Sequence, residues 1–311
     1  MKISIVIPVH NEQDNLAELH RRVVANCETA GVELEMVLVD DGSKDRSFQI
    51  IRELAVTDPR VVGLSLSRNF GHEAASTAGL DYATGDAAIL MDADLQDPPE
   101  VIPQMVELWK QGNHIVYGVR RSRDGETAAK RFTSWLFYRL LNRLADVSIP
   151  EDAGDFRLMD RKVLDALKRC REQSRFMRAL ISWTGFKAAP LQFDRQARHS
   201  GLTNYRFFRL FFLSLDAFVG FSIAPLRIAT ALGMLVTVFS LVMVVIIVFQ
   251  KLFHKIDQAG YALQTTALFF IGGVQMMMLG VLGEYIGRIY RQSQNRPLYL
   301  VSEQVGGRDA Q

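Results

Sequence analysis

Cysteine is nearly absent: Cys27 and Cys170 are the only two in 311 residues. They lie far apart and match no metal or Cys-x-x-Cys spacing, so they read as free thiols in a reducing compartment. Glycine phosphate cradles are missing too. No Gly-x-Gly-x-x-Gly follows the first apolar run and no Gly-x-x-x-x-Gly-Lys occurs anywhere, which removes the main support for dinucleotide and P-loop readings. Met1-Lys2 leads only into a short apolar run before His10-Asn11-Glu12, too short and wrongly flanked for a secretory leader. With net charge +2 and 23% charged residues, the composition is that of an ordinary globular enzyme, and no nucleic-acid partner is expected.

The last absence is regional. No charged side chain occurs from Ile228 to Phe249, nor from Gln258 to Gly283, and each run exceeds the roughly 20 residues a helix needs to cross a bilayer core. The loop between them carries Lys251, His254 and Lys255. A hairpin of two spans is expected, with both chain ends on one side. Arg227 before it and Arg288, Arg291 and Arg296 after it outweigh the loop lysines, so positive-inside places both ends in the cytoplasm of a multi-pass protein of the inner (plasma) membrane. Gly283-x-x-x-Gly287 permits close helix approach, weak support for a homo-oligomer. Glu284 is expected to pair with Arg288 one turn later.

What is present begins with strands. Ile3–Val9, Met36–Val39, Val61–Leu66, Ala87–Met91 and Ile115–Val119 are apolar runs, and helix-like spacing separates them over residues of about 14–27, 45–57, 72–84 and 99–111. That alternation predicts βαβ units and an α/β domain with a mainly parallel, Rossmann-like sheet. Each strand then ends in polar residues: His10-Asn11-Glu12, Asp40-Asp41-Gly42-Ser43, Ser67-Arg68-Asn69 and Asp92-Ala93-Asp94-Leu95-Gln96. Ligands bind at that edge of open α/β sheets. Some of these acids are helix caps, Asp45 among them. Alternation along an extended chain would point Asp92 and Asp94 the same way, with Gln96 following. Three oxygen-bearing side chains make an incomplete shell for a hard cation, Mg²⁺ or Mn²⁺, completed by waters and substrate phosphates. Asp97 reads as structural.

Pro8-Val9-His10-Asn11-Glu12, Asp40-Asp41-Gly42-Ser43, Asp92 through Pro99, and Gly154-Asp155-Phe156-Arg157-Leu158-Met159 resemble glycosyltransferase family 2. Within it they are similar to the polyprenyl-phosphate sugar transferases, the dolichyl-phosphate mannose synthase and bactoprenol glucosyltransferase group. The resemblance spans the whole chain and implies a GT-A fold. It implies metal-dependent, inverting transfer of one hexose from a nucleotide sugar, UDP-glucose before GDP-mannose or another UDP-sugar, to undecaprenyl phosphate. It further implies that Pro8, Glu12, Asp40 and Asp41 line the nucleotide, that Asp92 faces ribose and metal, and that Asp94 and Gln96 hold the metal. Asp155 would lie near the reacting centre, either as a base or orienting a cation such as Arg157.

The acceptor phosphate is already anionic, so the harder task is bringing two anions together. Candidate cations are Arg120, Arg121 and Arg123, then Lys130 and Arg131, then Arg195 and Arg198. The expected organisation is a cytoplasmic catalytic domain over 1–202, an amphipathic interfacial segment over 203–225 that meets membrane lipid, a transmembrane hairpin over 226–289, and a cytoplasmic tail over 290–311. Three positions depart from the family pattern: His10 for Tyr, His72 for Lys, and Asn204 for Lys. A processive synthase is disfavoured, since the sequence lacks Gln-x-x-Arg-Trp. A membrane-anchored, non-catalytic nucleotide-sugar scaffold is the alternative of a different class, and the intact Asp92, Asp94 and Gln96 set argues against it.

Overall fold

The computed structural model describes residues 1–120, 153–173, 175–194, 224–253 and 260–307. These fall into two compact units, of which the larger takes the residues up to 194 together with those from 296 onward.

The larger unit is built on an eight-stranded sheet. In chain order its elements are β1 (Lys2–Val9), α1 (Leu16–Thr29), β2 (Glu33–Asp40), α2 (Ser47–Thr57), β3 (Val61–Leu66), α3 (His72–Tyr82) and β4 (Ala87–Leu90). A 3₁₀ turn at Pro99–Val101 leads into α4 (Ile102–Lys110), then β5 (Ile115–Arg120), β6 (Ala153–Asp160), α5 (Arg161–Leu167), α6 (Met177–Trp183) and β7 (Ala188–Phe193). The strand order is β7-β5-β6-β4-β1-β2-β3-β8, where β8 is Val301–Val305. Pairs β1–β2, β1–β4, β2–β3 and β5–β7 are parallel, whereas β6 runs antiparallel between β4 and β5, and β8 antiparallel beside β3. The sheet is therefore mostly parallel, as the alternating pattern predicts.

The first strands are legible because they are buried on both faces, as near-continuous apolar runs must be. Ile3, Ile5, Val6 and Ile7 of β1 are all fully buried. Pro8 is tolerated in this central strand because β4 stops at Leu90, opposite Val6, so no ladder bond to β4 is demanded of it. Helix α3 lies close on β1: a Cβ at Gly79 would stand 2.3 Å from Cγ1 of Val6. At the other side Phe156 of β6 meets Phe193 of β7 edge to face, with ring centroids 5.6 Å apart, a geometry worth about 0.5–1.5 kcal/mol beyond area burial.

Antiparallel β6 has a functional consequence. It enters the sheet at the edge where β4 leaves it, with Arg157 opposite Leu90. Asp155, two residues earlier, thus stands beyond the end of β4, level with the Asp92 loop.

The smaller unit contains two long helices, α7 (Ala224–Phe253) and α8 (Tyr261–Ser293). Among the described residues one helical segment, Phe270–Ser293, is long and apolar enough to cross a membrane by length and composition. Arg288 Nε donates to Glu284 Oε1 at 2.9 Å, the pairing expected from their spacing. Helix α8 runs to Ser293, four residues past the expected boundary at 289, and residues 301–305 form a strand of the eight-stranded sheet. A strand reading Val-Ser-Glu-Gln-Val, exposed at its three central positions, carries no apolar run to announce it. The interfacial segment expected over 203–225 lies outside the described residues, apart from Ala224 and Pro225 at the start of α7.

Candidate active site

The loops after β2 and β3 are locked together. Asp41 accepts the backbone amides of Phe70 at 2.7 Å and Gly71 at 2.9 Å. Gly42 makes the approach possible: its φ is +65°, and a Cβ there would lie 2.7 Å from the Asn69 nitrogen. Burial raises the Asp41 pKa and the two amides pull it back only in part. Beside it, Nδ1 of His10 lies 3.0 Å from the Asp41 carbonyl oxygen. The same Nδ1 lies 3.2 Å from Asn69 Nδ2, and Nε2 lies 3.1 Å from Asn11 Nδ2, so the ring bridges the loops after β1, β2 and β3. Asp40 is buried, with Oδ1 taking the Ser43 amide. Glu12 accepts from the Asn15 side chain at 2.6 Å, and Pro8 is buried at the end of β1. Asp45 accepts the amide of Ser47, the first residue of α2, which is the capping role expected of it.

The Asp92–Gln96 segment is not extended. It leaves β4 at Leu90 and turns, with Leu95 in the left-handed region at φ 60° and its side chain buried in the core. The alternation expected for Asp92, Asp94 and Gln96 is thus replaced by a turn. A Leu in that conformation costs on the order of 1–2 kcal/mol, which packing of the Leu95 side chain offsets. Asp94 is buried and its Oδ1 accepts the Gln96 amide at 3.1 Å. Asp97, also buried, accepts the Asp92 amide at 3.4 Å and ties the turn's two ends together, in keeping with a structural role. His72, the first residue of α3, brings Nε2 to 3.8 Å from Asp92 Oδ1.

The second cluster comes from β6, α3 and α6. Arg178 grips Asp155 in a fork, Nε to Oδ1 at 2.7 Å and Nη2 to Oδ2 at 2.5 Å. Burial by itself would raise the Asp155 pKa, but Arg178, Arg157 and His72 overcome it and hold the carboxyl below its usual range. The side-chain partner of Asp155 is therefore Arg178, a residue the sequence did not single out, rather than Arg157. Arg157 is buried, its Nη2 donates to the Gly154 carbonyl at 2.6 Å, and its Nε has no hydrogen-bond partner among the described residues. Burial lowers its pKa to about 10. Glu73, next to His72, accepts the Met177 amide at 3.0 Å. Burial, then Asp155, raise the Glu73 pKa. Burial likewise raises that of Asp92; Asp155 and Asp94 push the same way against His72 and Arg178.

This arrangement bears on the expected cation. Among the described residues no three His, Cys, Asp or Glu side chains form a metal-binding group. Asp92 and Asp94 instead offer two carboxylates whose charges disfavour one another, since Asp94 raises the Asp92 pKa. Hard oxygen donors in that number fit a divalent cation that takes its other ligands from water and phosphate. Of the expected phosphate-binding cations, Arg120 is described only in its backbone, at the end of β5. Arg121, Arg123, Lys130, Arg131, Arg195, Arg198 and Asn204 lie outside the described residues.

Carboxylates gathered at the carboxyl edge of a mostly parallel sheet stand where α/β enzymes bind polar ligands. Comparison with known proteins makes that class specific. The profile of Glycosyl transferase family 2 matches residues 4–168, and that of the GtrB C-terminal hairpin matches residues 224–289. The chain is 44% identical over 306 residues to the glycosyltransferase YkcC of Bacillus subtilis strain 168, covering 98% of this chain and 95% of that one. It is 40% identical over 304 residues to the bactoprenol glucosyl transferase of Shigella phage SfV, covering 98% and 99%. It is 41% identical over 301 residues to the prophage bactoprenol glucosyl transferase homolog of Escherichia coli K12, covering 97% and 98%. The chain belongs to glycosyl transferase family 2 and is a glycosyltransferase of GT-A-like fold.

Proposed function

We propose that this protein transfers glucose from UDP-glucose to a polyprenyl phosphate, undecaprenyl phosphate, at the cytoplasmic face of the inner membrane, with inversion at the anomeric carbon. The observation that carries the reading is the 40% identity to a bactoprenol glucosyl transferase across 98% of this chain. The match runs through the C-terminal hairpin as well as the sheet, so it covers the parts that would meet lipid and nucleotide alike.

In this reading a phosphate oxygen of the acceptor attacks C1 of the sugar on the face opposite the diphosphate. A new C–O bond forms as the bond to the diphosphate breaks, and UDP departs with the electron pair. The nucleophile is already an anion, so no strong base is required. Asp155 suits that demand: Arg178 holds it charged and makes it a poor proton acceptor. Its role is to orient Arg178 beside the reacting centre. Pro8, Glu12, Asp40 and Asp41 line the nucleoside, Asp41 acting through the loop it holds. Asp92 and Asp94 with Gln96 would hold a divalent cation, Mg²⁺ or Mn²⁺, which would supply charge neutralisation for the departing diphosphate. Arg120, Arg121, Lys130, Arg131 and Arg198 are proposed for the acceptor phosphate.

Helices α7 and α8 are proposed to cross the bilayer as a hairpin. Leu235, Phe239 and Phe249 on one, and Phe270, Met277 and Leu279 on the other, are exposed as apolar side chains that lipid would cover. The test supplies purified protein with labelled UDP-glucose, GDP-mannose and other UDP-sugars, undecaprenyl phosphate and Mg²⁺ or Mn²⁺. A glucolipid from UDP-glucose is expected. Nucleotide binding with no glycolipid from any donor would make the protein a sensor.

A further inference from the structure

Glu73 and Arg178 are absent from the sequence-derived site, yet they connect its two carboxylate clusters. The first residues of α3 face both: His72 lies 3.8 Å from Asp92, and Glu73 accepts the amide of Met177. Met177 opens α6, and the next residue is Arg178, whose fork holds Asp155. A continuous path therefore runs from α3 through one amide bond to the guanidinium on Asp155.

We infer that Glu73 is a positioning residue, which anchors the start of α6 through the Met177 amide and thereby sets the Arg178–Asp155 fork against the reacting centre. The inference rests on Asp155 lying at that centre, as the proposed function has it. Three features support the role. The fork is bidentate, so a small shift of α6 would break one of its two bonds. Asp155 lies two residues before Arg157, which pairs with Leu90 of β4 and Tyr117 of β5, so its strand is fixed on both sides close by and α6 is the adjustable partner. The amide demands only an acceptor oxygen, and the raised Glu73 pKa favours a neutral group in that place.

The experiment compares full-length wild type with Glu73→Gln, Glu73→Ala and Arg178→Lys. Glutamine keeps an acceptor oxygen for the Met177 amide and alanine does not. With UDP-glucose and undecaprenyl phosphate, Glu73→Ala is expected to lower kcat about 100-fold, the scale of a 1 Å misplacement. Its KM for UDP-glucose should move less than about 3-fold, and Glu73→Gln should recover kcat to within about 5-fold of wild type. The double variant Glu73→Ala/Arg178→Lys should fall no further than its worse single, because both act on one pair. Wild-type kcat in Glu73→Ala, additive losses in the double, or a KM that rises in step with the fall in kcat would each overturn the role. Hydrogen exchange at the Met177 amide gives a readout that needs no turnover. Protection should persist in Glu73→Gln and drop about 10-fold in Glu73→Ala. If wild type forms no glycolipid, the functional reading fails and exchange alone decides: unchanged protection in Glu73→Ala overturns the anchor, and loss with glutamine rescue upholds it.

Discussion

Asp41 and Gly71 are joined by a 2.9 Å bond from the Gly71 amide to the Asp41 carboxylate, and the same carboxylate takes the Phe70 amide at 2.7 Å. The loop after β3 is thus shaped by an acid on the loop after β2. Asp41→Asn replaces one acceptor oxygen by an NH₂ group that faces an N–H donor. These amides are part-buried, so leaving one unsatisfied costs about 1 kcal/mol, the low end of the range for buried donors. The variant should melt earlier in a thermal denaturation and bind UDP more weakly by calorimetry; unchanged UDP affinity would detach this loop from the nucleotide site.

Asp94 is buried at the turn where the sheet edge turns polar. Asp94→Ala should reduce glycolipid formation at saturating Mg²⁺ or Mn²⁺ by at least about 100-fold, the upper range for loss of metal-site groups. Chelation of wild type should give a comparable loss, reversed on adding back the cation. Substantial turnover by Asp94→Ala under those conditions would sink the metal assignment.

Away from the site, Asp58 is bound by Arg60, whose Nε donates to it at 2.9 Å, and by His20 at 2.9 Å. Arg60 is the main cause of a folded-state Asp58 pKa held below the usual carboxylate range, against burial. A depressed carboxylate contributes stability above its unfolded pKa of about 3.9 and loses it as pH falls toward the folded value. The stability gap between wild type and Asp58→Asn should therefore narrow on acidification below about pH 4. Urea unfolding of both proteins across that range checks it, and a constant gap would be the contrary result.

Sequence reading recovers β1 to β5 because each is an apolar run bounded by polar residues. It misses β6 for a physical reason. Ala153–Asp160 carries Asp155 and Arg157 within the strand, so hydropathy offers no run to find. Pro190 obscures β7, which tolerates it at the edge of the sheet. The same limit applies to the site. Asp40, Asp41, Asp92 and Asp94 stand at strand ends and announce themselves by position. Glu73 reads as an ordinary acid in the first turn of a helix, and Arg178 as a cation on an amphipathic one. Their importance lies in partners far off in the chain: Met177 is 104 residues from Glu73, and Asp155 is 23 from Arg178.

The two thiols should behave unequally. Burial pushes Cys27 up to about 12, while Cys170 is partly exposed and raised less decisively. A thiolate-directed reagent at neutral pH should modify Cys170 in the folded protein and reach Cys27 only on denaturation. Labelling followed by peptide mass analysis distinguishes the sites, and rapid modification of native Cys27 would contradict its place in the core.

The strand β8 sits beside β3 yet is specified by residues 301–305, which come after both long helices in the chain. Synthesis order and assembly order therefore part company. The apolar helices leave the ribosome before the residues that cover the free edge of β3. Until those residues emerge, the edge of the nascent sheet is apolar β3 rather than polar β8, the kind of edge that recruits a stranger's strand. The glycosyltransferase sheet is thus completed only after both long helices have been made, so a finished catalytic unit implies finished helices.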